Sequence, residues 1–235
     1  MLKAKIETAC TECALSRLCL PVALSDDDVT ELEAIIDRPK PLARGDYLYQ
    51  AGDKFESLYV VRSGSVKTFA VDSSGTEQIT GFYLPGELFG LSSINEPQQN
   101  ATAQALERTN LCILPYDELD RLCSSVPSLA RQIMKVMSDE IREDHELLTL
   151  VSKKRAESRL ATFLLSIAQR LKKRKLPDDS FQLSMSRGDI GNYLGLAEET
   201  VSRMFTRFQE EGLVAVQRKQ INLLDQDGLQ QVCDG

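Results

Sequence analysis

Three cysteines stand close together in the pattern Cys10-Thr-Glu-Cys13-Ala-Leu-Ser-Arg-Leu-Cys19, and a fourth, Cys112, lies in the apolar run Leu111-Cys-Ile-Leu. Four thiolates that converge can hold a zinc ion or an iron–sulfur cluster. The same thiols could instead form a disulfide-based redox switch, and spacing alone leaves all three chemistries open. A second chemically pointed stretch is Glu199-Thr-Val-Ser-Arg203. It carries the acceptor and the forked donor that read base edges in DNA. Enzyme chemistry is not indicated. His145 is the only histidine, and no nucleophile–base spacing, phosphate loop or metal-hydrolase motif accompanies it.

Composition narrows the setting. The chain has 235 residues, 42% of them hydrophobic, with a net charge of −7. No apolar run is long enough to span a membrane and no signal-peptide pattern is present, so a cytoplasmic protein is expected. In a reducing cytosol, six cysteines read as metal ligands or redox groups rather than structural disulfides. The charge is uneven: residues 1–151 carry 14 basic and 24 acidic side chains, residues 152–224 carry 14 basic and 8 acidic. An acidic front and a basic back suit a sensor joined to a domain that meets phosphates.

The elements that must position these groups follow from periodicity. Ser25 followed by three aspartates caps a helix expected over 25–38. Between Pro41 and Leu114, short apolar runs such as Leu58-Tyr-Val-Val and Val66-Lys-Thr-Phe-Ala-Val alternate with Gly- and Pro-containing turns. That pattern predicts a small antiparallel barrel or jelly roll. Helical spacing returns over 116–124 and over 127–151. In the longer helix Met134, Met137, Ile141, Asp144, Leu148 and Val151 fall three and four apart, the spacing of a coiled-coil seam. A carboxylate in that seam would approach its own copy across a symmetric dimer and weaken it. A basic helix is expected over 157–175, with Leu160, Phe163, Leu164, Ile167 and Leu171 on one face.

Ser186-Arg-Gly-Asp189 then resembles a capping box with Asp in place of Glu. A short helix to Leu194, a turn at Gly195 and a second helix over 198–211 make a helix-turn-helix, followed by a hairpin wing. Glu199, Thr200, Ser202, Arg203 and Arg207 are the candidates for DNA contact on the second helix. The fold class is therefore α+β. An N-terminal antiparallel β-roll of the jelly-roll or cupin-like type is followed by a long dimerisation helix and a C-terminal winged helix-turn-helix. The expected divisions are 1–24 for the cysteine segment, 25–126 for the roll, 127–151 for the helix and 152–235 for the DNA-binding domain.

This combination resembles the CRP–FNR superfamily of bacterial transcription regulators. The cysteines, with Ser57-Leu-Tyr, Arg62-Ser-Gly, Glu77-Gln-Ile-Thr-Gly-Phe, Arg187-Gly-Asp-Ile-Gly-Asn-Tyr-Leu-Gly-Leu and Glu199-Thr-Val-Ser-Arg203, make it similar to the FNR branch, the fumarate–nitrate reduction regulators. The resemblance implies an oxygen-responsive regulator. One [4Fe-4S] cluster per subunit would be held by Cys10, Cys13, Cys19 and Cys112, and Glu199, Ser202 and Arg203 would read bases. Ile141 and Asp144 would control a homodimer that binds a TTGAT-N4-ATCAA-like palindrome in double-stranded DNA. Oxygen would convert the cluster to [2Fe-2S] and release the DNA. RNA polymerase would be met through the turn 71–76, where Thr76 replaces an expected acid. Ala14 replaces a polar neighbour of the second ligand. Cys123 and Cys233 match no ligand position and read as a helix-packing thiol and a tail residue. A cyclic nucleotide is not expected. The segment Asn100-Ala-Thr-Ala supplies no arginine for its phosphate, and none occurs between Arg62 and Arg108.

Overall fold

The computed structural model describes residues 9–16, 19–153 and 155–234. The expected cysteine segment 1–24 is thus described in part, with 1–8 and 17–18 outside the described residues, as is Lys154 of the expected basic stretch. The chain divides into two compact units. One comprises the residues up to Ala70 with Phe82–Asp139, the other Val71–Gly81 with the residues from Glu140 onward.

The first unit begins with two short 3-10 turns, Cys10–Glu12 and Leu20–Ala23, followed by helix α1, Asp26–Ala34. Ser25 Oγ accepts the Asp28 N–H at 3.2 Å, and the Asp28 carboxylate accepts the Ser25 N–H at 3.4 Å, a reciprocal cap built with aspartate. The helix stops short of the expected Arg38. Asp37 and Ile113 exchange two backbone hydrogen bonds of 2.9 and 2.8 Å, which requires extended backbone at 37. Arg38 also precedes Pro39, which disfavours helical geometry.

Strands β1 (Tyr47–Tyr49), β2 (Ser57–Ser63), β3 (Val66–Val71), β4 (Glu77–Tyr83), β5 (Leu88–Phe89), β6 (Thr102–Ala105) and β7 (Asn110–Pro115) follow. They form two sheets, ordered β1-β6-β3-β4 and β5-β2-β7. Strand β2 is buried on both faces, because successive side chains point opposite ways. Tyr59 and Val61 pack with Tyr49, Val66, Phe89 and Leu111. Leu58 and Val60 pack instead with Leu32, Leu114, Leu119, Leu122 and Leu129. The latter residues come from α1, β7, α2 (Tyr116–Ser125) and α3 (Pro127–Lys153). Cys123 of α2 packs against this cluster, as a helix-packing thiol would.

In the second unit, helix α4 (Ala156–Lys173) buries Leu160, Phe163, Leu164 and Ile167. Strands β8 (Ser180–Gln182), β9 (Val214–Gln217) and β10 (Gln220–Leu223) form an antiparallel sheet in the order β8-β10-β9. Helices α5 (Arg187–Leu194) and α6 (Glu198–Glu210) lie between β8 and β9 in sequence, and α7 (Gln226–Asp234) ends the described chain. Cys233 departs from the expected tail residue. Cys233 is buried on α7, its sulfur accepts a hydrogen bond from Thr162 Oγ1 at 3.3 Å, and Ser158 Oγ donates to Val232 O at 2.7 Å. The turn 71–76 is ordered by Asp72, whose Oδ1 accepts from the Ser74 and Thr76 N–H groups at 2.8 and 3.0 Å. Asn192 of α5 holds the strand after this turn. Its Oδ1 accepts the Ile79 N–H at 2.6 Å and its Nδ2 donates to Glu77 O at 2.7 Å.

Candidate metal centre and nucleic-acid interface

Strand register brings the fourth cysteine to the first three. Val60 pairs directly with Cys112, and Leu58 with Leu114, so all four side chains share one face of the β2–β7 ladder. Over that face the structure closes a cavity of about 30 Å³ lined by Cys10, Cys13, Cys19 and Cys112. Leu20, Leu32, Val60 and Leu114 supply apolar walls, and Arg38 and Arg62 supply cations. The spacing singles out the thiols, and the fold sets them round one space. Among the described residues, no three Cys, His, Asp or Glu side chains meet closely enough to share a single ion.

Burial governs Cys10, Cys19 and Cys112. It pushes Cys19 up to about 12 and raises Cys112, which the charges of Arg38 and Arg62 pull back down. Cys10 is also raised, first by burial and then by the hydrogen bond and charge of Glu33. Burial thus favours the protonated form of Cys10, Cys19 and Cys112, and a metal that binds them must displace those protons.

Two residues beside the cavity were not singled out from the sequence. Arg38 Nη1 lies 2.6 Å from Glu33 Oε1, and Arg38 Nη2 lies 2.8 Å from Glu33 Oε2. The same Oε2 accepts the Cys10 backbone N–H at 2.7 Å, and Arg38 Nη2 also approaches Cys10 Sγ at 3.8 Å. Burial alone would raise the Glu33 carboxyl. The hydrogen bonds from Arg38 and Cys10 outweigh it and hold the group down to about 2. Arg38 Nε is buried and has no acceptor within the described chain. An opposite-charge pair five residues apart across a helix end carries no periodic signal, which is why the sequence did not reveal it.

On α3 the predicted stripe faces solvent. Met134, Ile141 and Leu148 are 68%, 55% and 64% exposed, although large and apolar. Asp144 is exposed between Ile141 and Leu148, and Val151 is half-buried. The Asp144 carboxyl is raised by desolvation, with the charge of His145 opposing. Met137 differs from expectation: it packs partly on the core of its own unit. The opposite face carries Leu129 and Ile133 into that core, leaving Met134, Ile141 and Leu148 exposed among the described residues.

The helix-turn-helix is built as the sequence predicts. Ser186 and Asp189 form the reciprocal cap of α5, with 2.9 Å bonds in both directions. Gly195 takes the left-handed conformation (φ 63°) that ends α5, and Arg159 Nη1 donates to the free Leu194 carbonyl at 3.1 Å. Gly191 permits close approach of the two helices, since a Cβ there would stand 2.6 Å from Leu196 O. Ile190, Leu194, Val201 and Phe205 fill the angle between them, and the Arg187 guanidinium lies 3.4 Å above the Phe205 ring. Glu199, Ser202 and Arg203 are exposed on α6. Arg203 donates to Thr200 Oγ1 at 3.2 Å rather than pairing with Glu199. Arg207 is engaged elsewhere, by Glu157 at 2.7 Å and Glu211 at 2.8 Å.

Comparison with known proteins agrees with this architecture. Residues 39–126 match the cyclic nucleotide-binding domain model, and residues 158–232 match the Crp-like helix-turn-helix domain model. Together, roll and helix-turn-helix define a regulator of the CRP–FNR class. The chain is 49% identical over 224 residues to the transcriptional activator protein Anr of Pseudomonas protegens, covering 95% of this chain and 92% of that one. It is 43% identical over 223 residues to the fumarate and nitrate reduction regulatory protein of Escherichia coli K12, covering 95% and 89%. The solved structure of FixK2 from Bradyrhizobium japonicum superimposes with a TM-score of 0.77 at 30% identity, covering 84% of this chain and 97% of that one. The chain belongs to the FNR subgroup of the CRP–FNR family. It is a DNA-binding regulator of anaerobic gene expression and not an enzyme. No helix among the described residues is long and apolar enough to cross a membrane.

Proposed function

We propose that this protein is an oxygen-sensing cytoplasmic transcription regulator. Cys10, Cys13, Cys19 and Cys112 would hold one [4Fe-4S] cluster per subunit, and the loaded chain would dimerise through α3 and bind a TTGAT-N4-ATCAA-like palindrome. The carrying observation is the cavity: four thiols from two distant parts of the chain line one space, beside an arginine with an orphaned buried Nε. That donor set fits the group. Thiolates are the ordinary ligands of iron–sulfur clusters, and the cations offset the negative charge of four of them. The cluster, when bound, supplies the oxygen-reactive centre.

The remaining roles fall to the chain's own residues. The stripe from Met134 to Val151, exposed at Met134, Ile141 and Leu148, supplies an apolar seam for a second copy, with Ile141 at its middle. Asp144 opposes that pairing by like-charge repulsion, keeping the dimer conditional. Glu199, Ser202 and Arg203 face outward from α6 and would enter the major groove. The turn 71–76, with its Asp72-centred hydrogen bonds, would present a surface to RNA polymerase. No cyclic nucleotide is assigned. Asn100, in the segment where its phosphate would need an arginine, exchanges hydrogen bonds with Ser92 and Ser93 instead.

Anaerobic preparation with iron and sulfide analysis tests the cluster directly. About four irons per chain and a broad thiolate-to-iron absorption are expected. A colourless chain holding one zinc would overturn the reading. The seam has its own test. Asp144→Ala should strengthen the dimer even in air, by roughly 2 kcal/mol or about thirtyfold in dissociation constant. Analytical ultracentrifugation that finds the variant as monomeric as the wild type would remove Asp144 from the interface.

A further inference from the structure

We propose that Glu33 and Arg38 form a clamp that seats the Cys10 segment over the cavity and offers the Arg38 Nε–H to the sulfur atoms of the group held there. The identity of that group rests on the cluster reading above; the clamp does not.

Glu33 lies in the last turn of α1, and Arg38 follows Asp37, whose backbone is fixed to Ile113 of β7. Two nearly parallel bonds, 2.6 and 2.8 Å, join the guanidinium to the carboxylate. Such a forked pair sets the plane of the arginine as well as its position. The carboxylate then reaches further. Its Oε2 accepts the Cys10 N–H at 2.7 Å, so one side chain ties the cysteine segment to α1.

The fork takes one N–H of each Nη, and Nη2 also reaches Cys10 Sγ at 3.8 Å. Nε remains, buried and without an acceptor, on a residue that lines the cysteine cavity. Leaving a buried donor unpaired is costly, so a partner is expected in the space it borders. The cavity walls are apolar side chains and thiols, with Arg62 a second cation and Ser16 the one hydroxyl, which makes no hydrogen bond to Nε. Sulfur of the bound group is therefore the acceptor that the occupied site supplies. Hydrogen bonds to cluster sulfurs raise the reduction potential. Arg38 thus acts as a positioning residue that also tunes the centre.

Two measurements test this. In the metal-free protein, amide hydrogen exchange of the peptide carrying Cys10 should quicken about tenfold in Glu33→Ala, with the β2 peptide unchanged. Glu33→Gln, which keeps an acceptor oxygen, should restore part of the protection. In the anaerobically loaded protein, Arg38→Gln and Arg38→Lys should both shift the thiolate-to-iron absorption and make the potential more negative. Unchanged exchange at Cys10 in Glu33→Ala overturns the clamp, whatever the cavity holds. Wild-type potential and absorption in Arg38→Gln would mean that Nε bonds water and not sulfur. Wild-type values in Arg38→Lys alone would mean that charge suffices, and the donor role falls. A wild-type chain that loads no iron overturns the cluster reading instead.

Discussion

Cys112→Ser should reduce anaerobic iron from about four per chain to none. The same change should bring palindrome binding down to the level of unrelated DNA. Cys112 is the one expected ligand outside the first twenty residues, and its place on β7 opposite Val60 makes it the link between the cysteine segment and the roll. A serine hydroxyl is a harder and far less acidic ligand than a thiol, so it replaces neither the charge nor the softness that iron–sulfur binding uses. Cys10→Ser, Cys13→Ser and Cys19→Ser should behave alike. Cys123→Ser and Cys233→Ser should keep their iron, because Cys123 packs on the core and Cys233 is buried on α7. Iron and sulfide analysis of the six variants decides the matter. Full iron in Cys112→Ser would place the fourth ligand elsewhere.

Arg203→Ala should weaken specific DNA binding by roughly 1–3 kcal/mol per half-site, or about 30- to 25,000-fold over a palindrome. Its guanidinium projects from an exposed face of α6 and is oriented by Thr200, leaving further N–H groups for guanine O6 and N7. Discrimination at the G of the half-site should relax at the same time. Lys219→Ala, at the tip of the β9–β10 hairpin, provides the contrast. A phosphate contact there would weaken all sequences alike and lower the salt slope by about one. The measurement is a titration of cluster-loaded protein against single-base variants at fixed salt. Equal losses for every variant in Arg203→Ala would make Arg203 a backbone contact.

Much of this architecture was legible because its signals were local and periodic. The cysteine spacing pointed to a thiol-rich centre. The Ser186–Asp189 cap and the turn glycine Gly195 mark the helix-turn-helix in the sequence itself. The stripe on α3 was legible because it faces outward, free of the packing that would confuse its period. What escaped depends on tertiary contacts. The Glu33–Arg38 pair forms only because the chain leaves α1 and pairs with β7. Helix α7 carries Gly228 in its first turn, where Asp225 Oδ1 accepts the Gly228 N–H at 2.8 Å and a Cβ would meet Asp225 at 2.5 Å. A glycine there reads as a loop, and the buried pair Leu229 and Cys233 is too sparse for a periodic pattern. Met137 shows the limit of spacing alone: it fits the seam, yet part of it belongs to the core beneath.

The outward-facing stripe also bears on how sharply such a regulator would respond. On the proposed pairing, each apolar residue left in water by one chain is covered only by another copy. Promoter occupancy then follows the product of two active-chain concentrations. While single chains predominate, halving the loaded fraction cuts the paired form to about a quarter. A gradual change in oxygen would thus reach the promoter as a steeper one. The threshold would move with expression level, so a cell making more of this chain would tolerate more oxygen before its target genes changed state.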